Sequence, residues 1–267
     1  MAYRQLLSLI LSFTLFACAS CQLATGWDYL HEDYSVTSLS VEERELQRGA
    51  LINLFNSTDG KKWLPHRRKD WLDEKIDECQ WDGVQCVDGI VRVLFLDRAG
   101  LAGTIPAEIG NLKGLAQLFL AGNSVKGSIP DSIGNLRDMA YLFLESNMLS
   151  GSIPASLGNL SSMKGMWLEK NMLTGPIPPS IGDMQILHTL FMDSNRLTGK
   201  LPSTLGNLLK LERLHLSNNA ISGKIPNEIG HMTALEFLQI DHNNLVGRIP
   251  ETCKCFYDKT LRKQNCC

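Results

Sequence analysis

Between residues 91 and 250 the chain repeats itself every 24 residues. Six full units and one truncated unit align without gaps, and the third full unit reads MAYLFLESNMLSGSIPASLGNLSS over residues 139–162. A fixed period of this length predicts a solenoid, because so short a unit cannot bury its apolar face alone and must stack on its neighbours. We therefore expect one elongated domain whose core is shared between successive turns.

Each unit carries a short strand followed by a turn. Positions 1, 4 and 6 are apolar in every unit, and the alternation from position 4 to position 6 is typical of a β-strand. Glycine at position 13 and proline at position 16 recur in all seven units. Glycine suits a left-handed backbone conformation, and proline suits a site that needs no backbone donor. This pair is therefore expected to turn the chain from the strand to the opposite side of the coil.

A polar column accompanies the apolar positions. Position 9 is asparagine in six of the seven units, with Ala99 as the exception: Asn123, Asn147, Asn171, Asn195, Asn219 and Asn243. A buried amide without partners costs about 1–3 kcal/mol, so these side chains are predicted to form a ladder that bonds to the backbone of adjoining turns. We assign this column a structural role.

Residues 1–21 have the order of a secretory signal peptide, with Arg4, an apolar run over 6–17 and small residues over 17–19. No later segment reaches about 18 uninterrupted apolar residues, and the C-terminal tail lacks the hydrophobic stretch of a lipid-anchor signal. We expect an exported protein of the cell wall or matrix, without a membrane anchor. The net charge of −2 argues neither for nucleic acid nor for a membrane surface as a partner, and we expect no nucleic acid. Residues 22–40 show no period and are predicted to form a poorly ordered leader.

Residues 41–90 are predicted to form a cap on the first repeat. Ser40 and Glu43 form a capping box, which begins a predicted helix over 41–55. Its expected inward-facing residues are Leu46, Ala50, Leu51 and Leu54, and the aromatic residues that follow are Trp63, Trp71 and Trp81.

Cysteines flank the repeats and are absent from them. Cys79 and Cys86 lie before the repeats, and residues 251–267 carry Cys253, Cys255, Cys266 and Cys267. In an oxidising compartment disulfides at these places would staple the two open ends of the solenoid. Cleavage of the signal after Cys21 leaves six cysteines, whereas cleavage after Ala19 leaves seven. Metal binding by the paired cysteines is the alternative.

The unit LxxLxLxxNxLxGxIPxxLGNL of residues 139–160 resembles the plant-type leucine-rich repeat, and Cys79-x-Trp81-x-Gly83-Val84-x-Cys86 is similar to the N-terminal cap of that family. The resemblance covers residues 41–250. It implies an α/β solenoid, a right-handed superhelix with a parallel β-sheet on the concave face, 3₁₀ or irregular structure on the convex side, and disulfide caps.

The resembled family includes receptor-kinase ectodomains, polygalacturonase-inhibiting proteins and free-standing secreted recognition proteins. This sequence departs from the first group because no kinase or transmembrane segment follows its repeats. It departs from the second because its tail, from Cys253 to Cys267, does not match the C-terminal cap of the inhibitors. The resemblance therefore implies extracellular recognition without naming the ligand.

Position 5 forms an aromatic column on the expected concave face, with Tyr141 nearby at position 3. Its members in successive units are Phe95, Phe119, Phe143, Trp167 and Phe191. Neighbouring strands lie about 4.8 Å apart, so five rings would form a stripe about 19 Å long. An exposed stripe of this size favours binding of a partner. The alternative is that the rings only stabilise the sheet by stacking on one another.

Position 7 carries carboxylates beside the aromatic column, at Glu145, Glu169 and Asp193. Like charges on neighbouring strands repel, and a cationic or hydroxyl-rich ligand would relieve that repulsion. The alternative is a solvated acidic rim, partly offset by Arg98 and Lys170. A glycosidase pair is disfavoured, because an open concave face is not expected to offer the apolar pocket that raises one pKa.

No other pattern indicates catalysis. The six histidines lack metal-ligand spacing, and nucleophile and phosphate-binding motifs are absent from the sequence. We expect no enzyme activity, no metal and no cofactor. Asn56 and Asn159 begin glycan acceptor triplets, and Asn159 is expected on the convex side.

The sequence therefore predicts a secreted recognition protein. Its expected partner is an extracellular peptide, protein or cell-wall glycan, bound by the aromatic and acidic columns of the concave face. A soluble inhibitor of a secreted cell-wall-degrading hydrolase and an extracellular scaffold or matrix protein are the alternatives.

Overall fold

A computed structural model describes residues 34–247, 256–258 and 263–265. Within these residues one α-helix, α1 (Val41–Ser57), precedes the strands. The described strands are β1 Val84–Val87, β2 Ile90–Phe95, β3 Ala102–Thr104, β4 Gln117–Phe119, β5 Ser124–Gly127, β6 Tyr141–Phe143, β7 Met148–Ser152, β8 Gly165–Trp167, β9 Met172–Gly175, β10 Thr189–Phe191, β11 Arg196–Leu197, β12 Arg213–His215, β13 Ser222–Lys224, β14 Phe237–Gln239, β15 Asn244–Val246, β16 Phe256–Asp258 and β17 Lys263–Asn265. In this part of the chain no helix is long and apolar enough to cross a membrane.

The first strands of the seven units, together with β1 of the cap, form one eight-stranded sheet in the order β1-β2-β4-β6-β8-β10-β12-β14. β1 is antiparallel to β2 and closes the edge next to the cap, whereas the strands from β2 onward are parallel. Their register is strict, since Phe95 pairs with Phe119 and Phe143 pairs with Trp167. The predicted solenoid with a parallel concave sheet is confirmed.

Two further features complete each turn. A five-stranded parallel sheet, β3-β5-β7-β9-β11, follows the asparagine column and was not predicted. The convex side carries the expected 3₁₀ turns, at Ala107–Asn111, Asp131–Asn135, Ala155–Asn159, Pro179–Asp183, Ser203–Asn207 and Asn227–His231. The glycine of position 13 lies in or just after the second strand of each unit, and its φ is positive throughout, for example +78° at Gly127. Side chains with a Cβ rarely adopt this conformation.

The asparagines join each turn to the preceding one at two levels. The side-chain oxygen of Asn171 accepts from the N–H of Leu149 at 2.9 Å, and its amide donates to the carbonyl of Leu144 at 2.9 Å. The same two bonds recur at the other five asparagines. Groups that the short strands leave unpaired are satisfied in this way.

The N-terminal cap is an aromatic cluster beside α1. The indole of Trp71 lies 4.9 Å from Trp63 and 5.1 Å from Trp81, between ring centroids, and a disulfide joins Cys79 to Cys86. The Ser40 and Glu43 capping box is present, and α1 is two residues longer than predicted. The C-terminal cysteines lie outside the described residues.

One inward-facing residue of α1 was predicted wrongly. Leu46 is exposed, and its neighbour Gln47 is buried instead. The side-chain oxygen of Gln47 accepts from the N–H of Val91 at 2.9 Å, and its amide donates to Glu78 at 3.2 Å. A polar side chain is therefore buried here because it pairs with the backbone N–H of Val91, at the start of the first repeat.

The expectation of a poorly ordered leader is wrong for its last residues. Arg92 and Asp138 form an ion pair at 3.0 Å and are only 2% and 5% exposed. Ser35 and Val36 donate their backbone N–H groups to the Asp138 carboxylate, at 3.0 and 3.2 Å, and the carbonyl of Val36 accepts from Arg92. These bonds hold residues 35 and 36, a few residues before α1, against the first two repeats. Residues 22–33 lie outside the described part of the chain.

Asn171→Ala should lower the free energy of unfolding by about 1–3 kcal/mol, because the Leu149 N–H loses its partner and the Leu144 carbonyl loses one of its two side-chain donors. Urea denaturation followed by circular dichroism would measure the change. Asn135→Ala, on the exposed convex side, is the matched control and should change stability by less than about 0.5 kcal/mol. Equal losses in the two variants would contradict the ladder's role.

Asp138→Ala should cost about 3–5 kcal/mol, since it leaves the buried guanidinium of Arg92 without its counter-charge. It should also release residues 35 and 36, which hydrogen–deuterium exchange would report as faster amide exchange. The exposed Asp183 provides a control in Asp183→Ala. Unchanged protection at residues 35 and 36 in Asp138→Ala would show that the ion pair does not hold the leader.

Candidate ligand-binding face

The strict register of the eight-stranded sheet places the aromatic column in one continuous stack. Ring centroids lie 5.3 Å apart for Phe95 and Phe119, 4.5 Å for Phe119 and Phe143, and 4.2 Å for Phe143 and Trp167. Phe191 meets Trp167 edge-on at 6.2 Å. His215 extends the column by stacking on Phe191 at 3.9 Å, a contact that the sequence reasoning did not predict.

The rings are less exposed than expected. Phe95, Phe119 and Phe191 are half-buried, but Phe143 is 7% exposed and Trp167 is 5% exposed. Phe143 lies between two nearly parallel rings, which cover both of its faces. Trp167 folds over Gly165, where a Cβ would overlap the indole. The expectation that all five rings lie open is therefore wrong for the two central ones.

The half-buried Tyr141 lies beside this centre, with its ring centroid 6.5 Å from those of Phe143 and Trp167. At the cap end the guanidinium of Arg67 lies over the Phe95 ring, 5.1 Å from its centroid. The aromatic column thus ends at the guanidinium of Arg67, from the cap, on one side and at the imidazole of His215 on the other.

The carboxylates at the centre of position 7 are buried. Glu145 and Glu169 are each 8% exposed, and one oxygen of each, Oε2, is buried without a hydrogen-bond partner. Asp193 is half-buried, and its carboxylate accepts from the Ser194 hydroxyl at 3.0 Å. A solvated acidic rim therefore does not describe Glu145 and Glu169.

The pKa of the Glu169 carboxyl is raised to about 8. Burial is the main cause, and the neighbouring charges of Glu145 and Asp193 add to it. Burial likewise raises the pKa of Glu145 to about 7, with Asp97 adding to the effect and Lys170 and Arg98 opposing it. The pKa of Asp97 is also about 7, mainly through burial. The expectation that this face cannot raise a carboxyl pKa is therefore wrong.

The indole N–H of Trp167 is a third buried polar group without a partner on this face. Trp167 and Glu169 are two residues apart on one strand path, so they lie on the same side of the sheet. Unmet donors and acceptors are rare in protein interiors. Two acceptors and one donor next to the aromatic stack are therefore buried and unpaired in the free protein.

The remaining candidate residues lie elsewhere. Asn159 is exposed on a convex 3₁₀ turn, and Asn56 is exposed near the end of α1. Among the residues that the structure describes, no three histidine, cysteine or acidic side chains converge to hold a metal ion.

Glu169→Gln should stabilise the protein at alkaline pH, by on the order of 2 kcal/mol. The folded state holds the Glu169 proton more tightly than the unfolded state, whose pKa is near 4.5. The contribution of Glu169 to the free energy of unfolding is therefore full below about pH 4.5 and is lost as the pH rises through about 8.

Urea denaturation of wild type and Glu169→Gln at pH 4.5, 6.5 and 8.5 would test this dependence. The difference between the two proteins should be small at the lowest pH and largest at the highest. Glu108→Gln, at an exposed convex residue, is the control. A difference that does not change with pH would contradict the raised pKa.

Comparison with known proteins agrees with this architecture. A family model described as "Leucine Rich Repeat" matches residues 114–136 and 139–160, and another described as "Leucine rich repeat" matches residues 185–245. The leucine-rich repeat receptor protein kinase EMS1 of Arabidopsis thaliana is 42% identical over 123 residues, which are 46% of this chain and 8% of EMS1. The chain thus spans less than a tenth of that relative.

Two solved structures are similar over most of the chain. The Arabidopsis receptor kinase HAESA, in complex with the peptide hormone IDA and the co-receptor SERK1, is 30% identical with a TM-score of 0.67, over 80% of this chain and 35% of that one. Pollen Receptor Kinase 3 is 29% identical with a TM-score of 0.63, over 74% of this chain and 95% of that one. The chain therefore carries plant-type leucine-rich repeats, and these repeats resemble the ectodomains of plant receptor kinases.

Proposed function

We propose that this protein is a non-catalytic extracellular recognition protein that binds a peptide, or an extended segment of a protein, on its concave sheet. The observation that carries the proposal is the set of unmet polar groups, Trp167 Nε1, Glu145 Oε2 and Glu169 Oε2, beside the aromatic stack. Each unmet buried group costs about 1–3 kcal/mol, so a ligand that pairs with them gains affinity from groups already in place.

A peptide fits this face better than a purely hydroxylic ligand. A peptide backbone offers carbonyl acceptors for an indole N–H, and its side chains can supply both apolar contacts and positive charge. The half-buried edges of Phe95, Phe119 and Phe191 provide apolar contact along the stack. The similarity to HAESA, which was solved with a bound peptide hormone, supports the same class of ligand.

Export from the cell is part of the proposal. Residues 1–21 have the order of a signal peptide, and the Cys79–Cys86 disulfide is of a kind that persists in oxidising compartments. The similarity to receptor ectodomains supports the same location.

Selection from a library of random displayed peptides on the immobilised protein would test the proposed function. We expect binders whose affinity falls at least about tenfold on the double variant Phe119→Ala, Phe191→Ala, because truncated aromatic contacts at an interface typically cost more than 1 kcal/mol each.

The matched control is Leu209→Ala, which truncates an exposed apolar side chain at position 23 on the convex side. It should leave binding within about twofold. Thermal melts of all variants would establish that they are folded. Binders that tolerate the double variant, or a selection that yields none, would contradict the concave face as a peptide site.

A further inference from the structure

We propose that Glu145, Glu169 and Trp167 form a subsite for one basic residue of the bound peptide, with its charged end between the two carboxylates and its backbone carbonyl at the indole N–H. This inference rests on the proposed function, and it assigns the chemical class of one ligand residue to one place on the concave face.

The two carboxylates lie on neighbouring strands in register. Leu144 donates its N–H to the carbonyl of Trp167 at 2.9 Å, and Ser146 donates to the carbonyl of Glu169 at 3.0 Å, so the pairing continues past the strand ends. Position 7 of one unit therefore lies about 4.8 Å from position 7 of the next. A guanidinium or ammonium group between them can contact both side chains, since it carries several donors.

Neither carboxylate has a counter-ion in the described part of the chain. None of the ion pairs found there within 4.0 Å includes Glu145 or Glu169. Lys170 lowers the pKa of both carboxyls through its charge, Arg98 lowers that of Glu145, and both cations are exposed. The site therefore keeps its acceptors while its own cations remain in solvent.

The first unit shows how such a pair of positions receives a guanidinium. Arg67, from the cap, lies over the ring of Phe95 at position 5 and lowers the pKa of Asp97 at position 7 through its charge. Units three and four repeat an aromatic residue at position 5 and a carboxylate at position 7, but no arginine of the described residues reaches them. The first unit thus shows a guanidinium held over the ring of position 5 near the carboxyl of position 7, while its ion pair is with Asp82 at 3.7 Å.

The indole N–H distinguishes a peptide residue from a simple cation. A metal ion cannot accept a hydrogen bond, and the described residues offer no group of three ligands to hold one. A basic amino-acid residue carries both a cation and, a few bonds away, a carbonyl acceptor. It is the ligand fragment that satisfies the carboxylates and the indole together.

Proton release follows from this arrangement. The carboxyls of Glu145 and Glu169 hold their protons up to about pH 7 and pH 8 in the free protein. A bound cation favours their ionised forms, so it drives protons off. Asp97 and Asp193 add negative charge to this face, and Arg98 and Lys170 oppose it. The affinity for a basic peptide should therefore rise between pH 5 and pH 8.

The test uses peptides selected from the displayed library at pH 8. We expect arginine or lysine at one shared position, and we expect replacement of that residue by neutral citrulline or norleucine to weaken binding at least about tenfold. On the double variant Glu145→Gln, Glu169→Gln, the basic and neutral peptides should bind alike. Calorimetry in two buffers of different ionisation enthalpy should show proton release with wild type and none with the variant.

The matched control is Glu108→Gln, Glu228→Gln, which makes the same change at two exposed convex residues and should preserve the preference for the basic peptide. Selected peptides that need the aromatic column but carry no shared basic residue, or that ignore the glutamine variant, would overturn the subsite and leave the proposed function standing. A selection without any binder that depends on the concave face would overturn both.

Discussion

The hydrogen bonds of the asparagine ladder impose the register on which every other feature depends. Each asparagine bonds at once to the carbonyl of position 6 and to the N–H of position 11 in the preceding unit, as Asn171 does with Leu144 and Leu149. A turn that shifted along the axis would break both bonds together. Ala99 is the exception in the first unit, where no earlier repeat exists to receive the bonds, and its own N–H donates to Asn123 at 3.0 Å.

Fixed register has opposite consequences for the two columns of the concave face. Aromatic rings gain from being held side by side, as the 4.2 Å stack of Phe143 on Trp167 shows. Carboxylates held at the same spacing repel, and burial adds to the cost, so the pKa values of Glu145 and Glu169 rise. One geometric constraint therefore produces a rigid apolar wall and, beside it, a pair of acids whose charge is unfavourable in the free protein.

The 24-residue period predicted the features that depend on residue spacing. It could not predict how far each side chain is buried, because burial depends on which neighbouring side chains cover it. Strands, register and the ladder follow from the 24-residue repeat. Alternation tells which face a side chain shares, but the burial of Trp167 depends on the missing side chain at Gly165, which a closer comparison of position 3 could have signalled. The anchored leader had a signal too, because Arg92 stands at a position that the next two units fill with alanine. The second sheet had none, since its strands are at most five residues long.

The acids at the centre of the face are not required by the fold. Position 7 is Ala121 in the second unit and Ser217 in the sixth, and both units keep the same strand pairing and the same asparagine bonds as the units with acids. The chain itself therefore shows that neutral residues fit this position. Small neutral residues at 145 and 169 would remove the repulsion and the desolvation that raise the pKa of both carboxyls. Glu145 and Glu169 destabilise the free protein at a position where the fold also accepts small neutral residues. Their presence is therefore better explained by binding of a ligand than by stability of the fold.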